Sequence, residues 1–172
     1  MRSTIALLCL ALSAPVAAQT KQDYPGVTNF TRVDATVACG GATEVSTLDA
    51  LKKDGFKTVI NLRVATEPGV NLEENQAKAK ALGLNYVHIP FSGGSPDPLV
   101  IDTFLATIAD ETNQPVFVHC ASANRVGAVW LAKRVLQDHY SIEKATAEAK
   151  AIGLSNPGLE KFALQYIADH QK

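Results

Sequence analysis

Cys120 and Arg125 enclose four residues, Ala121-Ser122-Ala123-Asn124. An apolar run, Pro115-Val116-Phe117-Val118-His119, leads into them, and a helix-forming run from Val126 leads out. A strand ending on a cysteine, a short loop and a helix with an arginine in its first turn bring free backbone N–H groups and the positive end of a helix dipole to one point. A tetrahedral oxyanion fits that point, with Arg125 offering planar, bidentate hydrogen bonds. The same potential favours a thiolate on Cys120, and a thiolate facing a phosphoryl group is a nucleophile. Ala121, Ser122, Ala123 and Asn124 are the candidate substrate-binding residues of the loop: Ser122 has a hydroxyl to offer, and Asn124 has an amide and a tolerance for left-handed backbone. His119 is expected to orient the loop by hydrogen bonds, since a thiolate needs no base. The bland alternative is a buried strand-end cysteine beside a surface arginine, and the strand, the helix and His119 together weigh against it.

The rest of the chain must deliver that strand and helix to a common edge. Val33, Ala35 and Val37 alternate with polar residues and predict a strand ending at Gly40-Gly41. Ser46 or Thr47 caps a short helix closed by Gly55, and residues 57–62 predict a second strand with Arg63 at its exit. A helix from Asn71 toward Leu82 and a strand at Tyr86-Val87-His88-Ile89 follow. Residues 90–98 hold Gly93-Gly94-Ser95-Pro96-Asp97 and predict a loop. Helices are predicted from Leu99 to Asp110, after the Cys120 loop with Val126, Val129, Trp130 and Leu136 on an apolar face, and over 142–151 and 157–170. Alternating strands and helices predict an α/β fold, a mostly parallel central sheet covered on both faces, with a helical C-terminus.

The chain has 172 residues, 16 basic against 17 acidic, and a net charge of −1. That balance excludes the basic surface of a sequence-independent nucleic-acid binder. Arg2, the apolar run from Ile5 to Leu12 and the small residues Val16-Ala17-Ala18 predict a signal peptide over 1–18, cleaved before Gln19. The expected location is periplasmic or secreted, with no membrane attachment after cleavage. Residues 19–31 are polar and turn-rich and predict a flexible lead-in, which leaves 32–172 as one domain. Four histidines are scattered without metal-ligand spacing, so neither metal nor other cofactor is expected. His88 is read as a satisfied strand-end residue and Trp130 as a core anchor.

Val118-His119-Cys120 … Arg125-Val126-Gly127 resembles the signature of the protein tyrosine and dual-specificity phosphatases. Ala38-Cys39-Gly40-Gly41-Ala42 and Gly55-Phe56-Lys57-Thr58-Val59-Ile60-Asn61-Leu62-Arg63 look like the early strands of the atypical members. The bacterial beta-lactamase-hydrolase-like, phosphatase-like domains are similar from about Phe30 to His139. The resemblance implies a phosphatase-type fold and hydrolysis of a phosphomonoester through a phosphocysteine on Cys120. It also departs from the family. The tyrosine phosphatases place five residues between cysteine and arginine, Ala123 stands where glycine is common, and Val126 replaces a serine or threonine. Ser92 occupies the position of the acid aspartate. Asp97 is the substitute candidate for the acid, with Asp102 behind it, although Asp97 also reads as a turn residue between Pro96 and Pro98.

Other readings stay open. Four intervening residues is also the spacing of rhodanese-type sulfurtransferases, which carry a persulfide, and a non-catalytic anion- or phosphoprotein-binding module fits the missing acid and hydroxyl. Arg63 either adds charge to the pocket or pairs with Glu67. Cys39 is either a small apolar strand-end side chain or a partner that traps oxidised Cys120 as a disulfide. The expected partner is a phosphorylated substrate or another small oxyanion.

Overall fold

The computed structural model describes residues 19–171, so the expected signal peptide lies outside the described residues. The elements are β1 (Thr20–Lys21), β2 (Thr31–Arg32), β3 (Val37–Gly40), α1 (Thr47–Lys53), β4 (Thr58–Asn61), α2 (Leu72–Ala81), β5 (Asn85–His88), α3 (Leu99–Ala109), a 3₁₀ turn (Glu111–Asn113), β6 (Val116–His119), α4 (Asn124–Leu136), α5 (Ile142–Ile152) and α6 (Pro157–His170). They build a six-stranded sheet in the order β1-β2-β3-β6-β4-β5. β3, β6, β4 and β5 run parallel, and β1 and β2 add antiparallel at the β3 edge. This is the expected α/β architecture, a mostly parallel sheet flanked by helices with a helical C-terminus.

Two expectations are corrected. Residues 19–31 are not a loose lead-in: they supply β1 and the start of β2, and Phe30 is buried in a stack with Tyr24 and Phe117. The alternation of Val33, Ala35 and Val37 does not mark a strand either. Asp34 Oδ1 accepts from the N–H groups of Thr36 and Val37, making a side-chain turn, and the strand starts only at Val37.

β6 is last in sequence among the strands but central in the sheet, because the β3–α1–β4 crossover leaves a gap that it fills. With neighbours on both edges and helices on both faces, every residue of β6 is buried. The pleat sorts its side chains by face. Val116, Val118 and Cys120 join a core with α3, α4, α5 and α6, while Phe117 joins one with α1 and α2. β6 therefore delivers Cys120 to the middle of the sheet's C-terminal edge, where chain connections part in both directions and open α/β sheets bind ligands.

α4 carries apolar residues nearly all round because it lies between the sheet and α5 and α6. Its buried Arg134 sits over the ring of Trp130, 4.5 Å from the centroid, and Glu148 accepts from both Trp130 Nε1 and Arg134 Nε at 2.8 Å. Asp138 accepts a further bond from Arg134 at 2.7 Å, so this buried charge is paired and hydrogen-bonded. Gly127 lets α4 touch the α5–α6 junction. A Cβ there meets Leu154 Cβ at 2.7 Å and Ala149 O at 2.9 Å. In an open helix Gly→Ala stabilises by up to about 1 kcal/mol. Gly127→Ala is expected to reverse that sign, because overpacking costs about 1–3 kcal/mol. A lower urea midpoint at unchanged slope checks it, and a raised midpoint contradicts the close approach.

Candidate active site

The C-terminal ends of β3, β6 and β4 hold the Cys120 loop on both sides. Cys120 N–H donates to Gly40 O at 3.3 Å, Leu62 N–H to His119 O at 2.8 Å, and Ala42 N–H to Ala121 O at 2.9 Å. Past Cys120 the loop turns away from the sheet through Ala123, whose φ of 69° is left-handed. For a residue with a Cβ this conformation costs roughly 1–2 kcal/mol, and glycine is the usual occupant. Gly153 meets it closely, since a Cβ on Gly153 would lie 2.9 Å from Ala123 Cβ.

The left-handed turn leaves the amides around it without intramolecular partners. The N–H groups of Ala121, Ser122, Ala123, Asn124, Arg125 and Val126 donate to no acceptor within the described chain. Those of Asn124, Arg125 and Val126 open α4, where the helix dipole is positive. Cys120 is buried, its residue only 1% exposed, and it packs with the core on the α3, α4, α5 and α6 side of the sheet, beneath the loop that follows it. The Arg125 guanidinium is largely buried and is bonded to Glu67, Phe91 O and Leu62 O, and the Cys120 sulfur is among the groups that raise its pKa. The arrangement sets a helix N-terminus and a guanidinium beside the Cys120 loop and leaves six amides free to donate to an anion.

Arg125 is held by Glu67. Arg125 Nη2 donates to Glu67 Oε2 at 2.8 Å, Nη1 donates to Oε1, and Nη1 also reaches Phe91 O at 2.8 Å. Glu67 takes two further bonds, from Val64 N–H at 2.8 Å and Arg63 Nε at 3.2 Å. Hydrogen bonds from Arg125, opposed by partial burial and helped by Val64 N–H and Arg63, hold the Glu67 carboxyl down at about 2. Burial works against the charge on Arg125, but Glu67 and the Cys120 sulfur outweigh it and raise its pKa. Arg63 pairs with Glu67 and donates to Pro68 O at 2.6 Å, so of its two expected roles the structure shows the ion pair. His88 Nε2 is bonded to Arg63 O at 2.7 Å, which ties down the end of β5.

His119 faces the opposite side of the sheet from Cys120 and stacks on Phe117 at 5.8 Å. Burial, together with the charges of Arg63 and Arg125, pushes its imidazole down to about 3, so it is neutral. Its Nδ1 is buried without a hydrogen-bond partner, while hydrogen bonding at the backbone of Cys120 and Gly41 opposes that downward shift. Asn124 acts at longer range than its amide alone suggested. Its Oδ1 accepts from Ser155 N–H at 2.7 Å and Asn156 N–H at 2.8 Å, fastening the loop to the start of α6, and its Nδ2 meets Ser122 Oγ at 3.3 Å.

An open cleft above the loop is lined by Glu67, Ser92, Gly93, Ser122, Asn124, Arg125 and Asn156, among others. Asp97 is not among its walls. Asp97 Oδ1 accepts from Leu99 N–H at 3.0 Å, which supports the first turn of α3 as a turn residue would. Asp102 bonds the hydroxyl of Tyr166 on α6. Cys39 and Cys120 are both free thiols on the same face of the sheet, and burial, with Cys120 nearby, pushes the Cys39 thiol up and keeps it neutral. Glu67 as the partner of Arg125 and Asn156 as a wall of the cleft were missed in the sequence. Only the i,i+4 spacing of Arg63 and Glu67 at a strand exit hinted at the first.

The ion pair has a pH signature. Glu67 sits near 2 in the folded protein against roughly 4.3 for an unfolded glutamate. A depressed folded value contributes stability that is fully present above the unfolded value and is lost as pH falls through the folded one. Glu67→Gln is expected to lower stability by roughly 1–3 kcal/mol at neutral pH. That deficit should shrink as pH falls from about 4.5 toward 2. Urea titrations of both proteins at neutral and acid pH measure it, and a deficit independent of pH would exclude the carboxylate as its source.

Comparison with known proteins agrees with this geometry. The family model for the beta-lactamase hydrolase-like protein, phosphatase-like domain, matches residues 29–136. The beta-lactamase hydrolase-like protein of Agrobacterium fabrum is 32% identical over 108 residues, which cover 61% of this chain and 25% of that protein. The chain thus spans about a quarter of the matched relative's length. Among solved structures, a phosphatase-type protein of Shewanella putrefaciens superposes with a TM-score of 0.72 at 18% identity, covering 86% of this chain and 94% of that one. The core catalytic domain of the Saccharomyces cerevisiae PP-IP phosphatase Siw14 gives 0.71 at 19%, over 86% and 91%. TpbA of Pseudomonas aeruginosa gives 0.67 at 18%, over 90% and 92%. At such identities these structures establish a shared fold. The match over residues 29–136, which contain the whole Cys120–Arg125 loop, makes this chain a member of the beta-lactamase hydrolase-like, phosphatase-like domain family.

Proposed function

We propose that the protein is a cysteine-dependent phosphatase that hydrolyses a phosphomonoester through a phosphocysteine. The observation that carries this is the loop after Cys120, whose amides from Ala121 to Val126 donate to nothing else among the described residues and which ends on the inward-held Arg125, whose pKa the Cys120 sulfur helps to raise. The thiolate attacks phosphorus in line, the amides and Arg125 hold the equatorial oxygens, and charge developing in the transition state meets donors already in place. Glu67 and Phe91 O orient Arg125, and Asn124 holds the loop's far end. His119, neutral and on the other face, supports the strand and takes no part in proton transfer. That two fold relatives were solved with a tricarboxylate or a phosphoryl compound, Siw14 with citrate and TpbA with phosphotyrosine, supports an oxyanion as the ligand. Export through residues 1–18 belongs to the same proposal and predicts a mature N-terminus at Gln19.

One observation favours a second reading. Arg125 Nη1 and Nη2 both serve Glu67, and the loop is a residue shorter than in tyrosine phosphatases, an arrangement that suits a single persulfide sulfur on Cys120 better than a phosphate.

Activity on an aryl phosphate, and separately on thiosulfate with cyanide, distinguishes the two. The phosphatase reading expects phosphate release that Cys120→Ser abolishes and that Arg125→Lys lowers by ~10²–10³ in kcat/KM. Thiocyanate formation that depends on Cys120 establishes sulfur transfer instead. Phosphate binding without either product leaves an anion-binding module, and release that survives Cys120→Ser removes both enzymatic readings.

A further inference from the structure

Breaking an alkyl phosphate ester requires a proton for the departing oxygen, because an alkoxide is a strong base, and a positioned acid is worth ~10²–10⁴ in rate. Among the described residues, no acidic group lining this cleft is free to deliver it. Among the described residues Glu67 is the only carboxylate in the lining. Both of its oxygens are occupied, by Arg125, Arg63 and Val64 N–H, and its carboxyl is ionised. Asp97 is bonded at the start of α3 and Asp102 to Tyr166. His119 is neutral and faces away from Cys120, and His88 is bonded to Arg63 O. Residues 1–18 contain neither aspartate nor glutamate, so the segment outside the described residues has no carboxylate side chain to contribute. The hydroxyls that line the cleft, on Thr66, Ser92 and Ser122, can hydrogen-bond an oxygen but are not acids at neutral pH.

We propose that this site acts on phosphoryl groups whose leaving group departs as a stable anion, namely acyl phosphates and phosphoanhydrides, and is poor toward alkyl phosphomonoesters such as phosphoserine. The proposal rests on the phosphatase reading and narrows its substrate class. The Cys120 thiolate forms an S–P bond while the P–O bond to the leaving group breaks, and the electron pair leaves on oxygen as a carboxylate or a phosphate. A carboxylic acid titrates near ~4, and a phosphate monoester has its second pKa at about 6, so neither anion needs a proton at neutral pH. Water then attacks the phosphocysteine, its oxygen bonds to phosphorus, sulfur leaves as the thiolate and the product phosphate keeps both protons of the water. Arg125 and the loop amides bind the transferred phosphoryl group in both steps, so what is selected is the leaving group.

Ser92 offers the decisive variant. It lines the cleft and follows Phe91, whose carbonyl accepts from Arg125 at 2.8 Å, so a carboxyl at this position stands at the cleft wall. The experiment measures kcat/KM of the full chain on aryl phosphates of graded leaving-group acidity, on acetyl phosphate, on inorganic pyrophosphate and on phosphoserine. Phosphate release is compared with that of Cys120→Ser. The expected result is a steep rise with leaving-group acidity, acetyl phosphate or pyrophosphate exceeding phosphoserine by ~10²–10⁴, and the same slope in Asp97→Asn. Ser92→Asp should raise the phosphoserine rate at least tenfold, flatten the slope and introduce a fall in rate at alkaline pH as the new acid ionises. A shallow slope in the wild type, or one that steepens in Asp97→Asn, overturns the proposal while leaving the phosphatase reading standing. Absence of Cys120-dependent phosphate from every substrate overturns both.

Discussion

The site depends on one carboxylate. Glu67 leaves the β4 exit as the acceptor for Arg63 and Val64 N–H, and it grips both terminal nitrogens of Arg125 at the start of α4. Without that grip an arginine in the first turn of a helix extends into solvent, the lowest-cost course for a long charged side chain. With it, the guanidinium is turned back toward the β4 exit and Phe91 O, and the sheet's C-terminal edge acquires a fixed positive centre. A planar fork meeting two carboxylate oxygens is directional, so the pair sets an orientation as well as supplying charge.

The remaining contacts keep the loop still around that centre. β3 and β4 hold its entry through backbone bonds, because the parallel ladders on both sides of β6 continue to Cys120 and Leu62. Its far end is tied by Asn124 to the α5–α6 junction, and Gly127 and Gly153 bring that junction close enough to touch. The C-terminal helices are therefore part of the site's scaffold, and the cap of α6 at Asn156 forms one wall of the cleft. Strain at Ala123 is the cost of making this left-handed turn without a glycine. It is sustained because both flanks over-determine the loop.

Chemistry follows from what this scaffold holds and from what it ties up elsewhere. Donors surround one sulfur, and the acids nearby are all engaged in structure: Glu67 on two arginines, Asp97 at a helix start, Asp102 on a tyrosine. Such a site offers donors to an anion and donates protons poorly. Phosphoryl transfer to Cys120 and sulfur transfer through it share the first property and differ in their need for the second.

The sequence by itself determined the elements that carry the site, because their signals are local. The apolar run of residues 115–119, the short loop and the helix-forming run after Arg125 specify strand, turn and helix within a few residues, and alternating elements specify a mostly parallel sheet. Where a signal was local but ambiguous it misled, as with the alternation at Val33, Ala35 and Val37, which a single Asp34 turn overrides, and with the polar segment that holds Phe30 in the core. Only the tertiary structure decided the partners. Glu67 and Arg125 lie 58 positions apart, and no periodicity links them. Asn124 and Asn156 meet only because α5 folds back on α4. Asp97, a few positions past Ser92, is drawn into the start of α3 by a backbone N–H two residues on. A side chain's chemistry is written in its type, but whether a proton or an anion is within its reach depends on packing between distant segments.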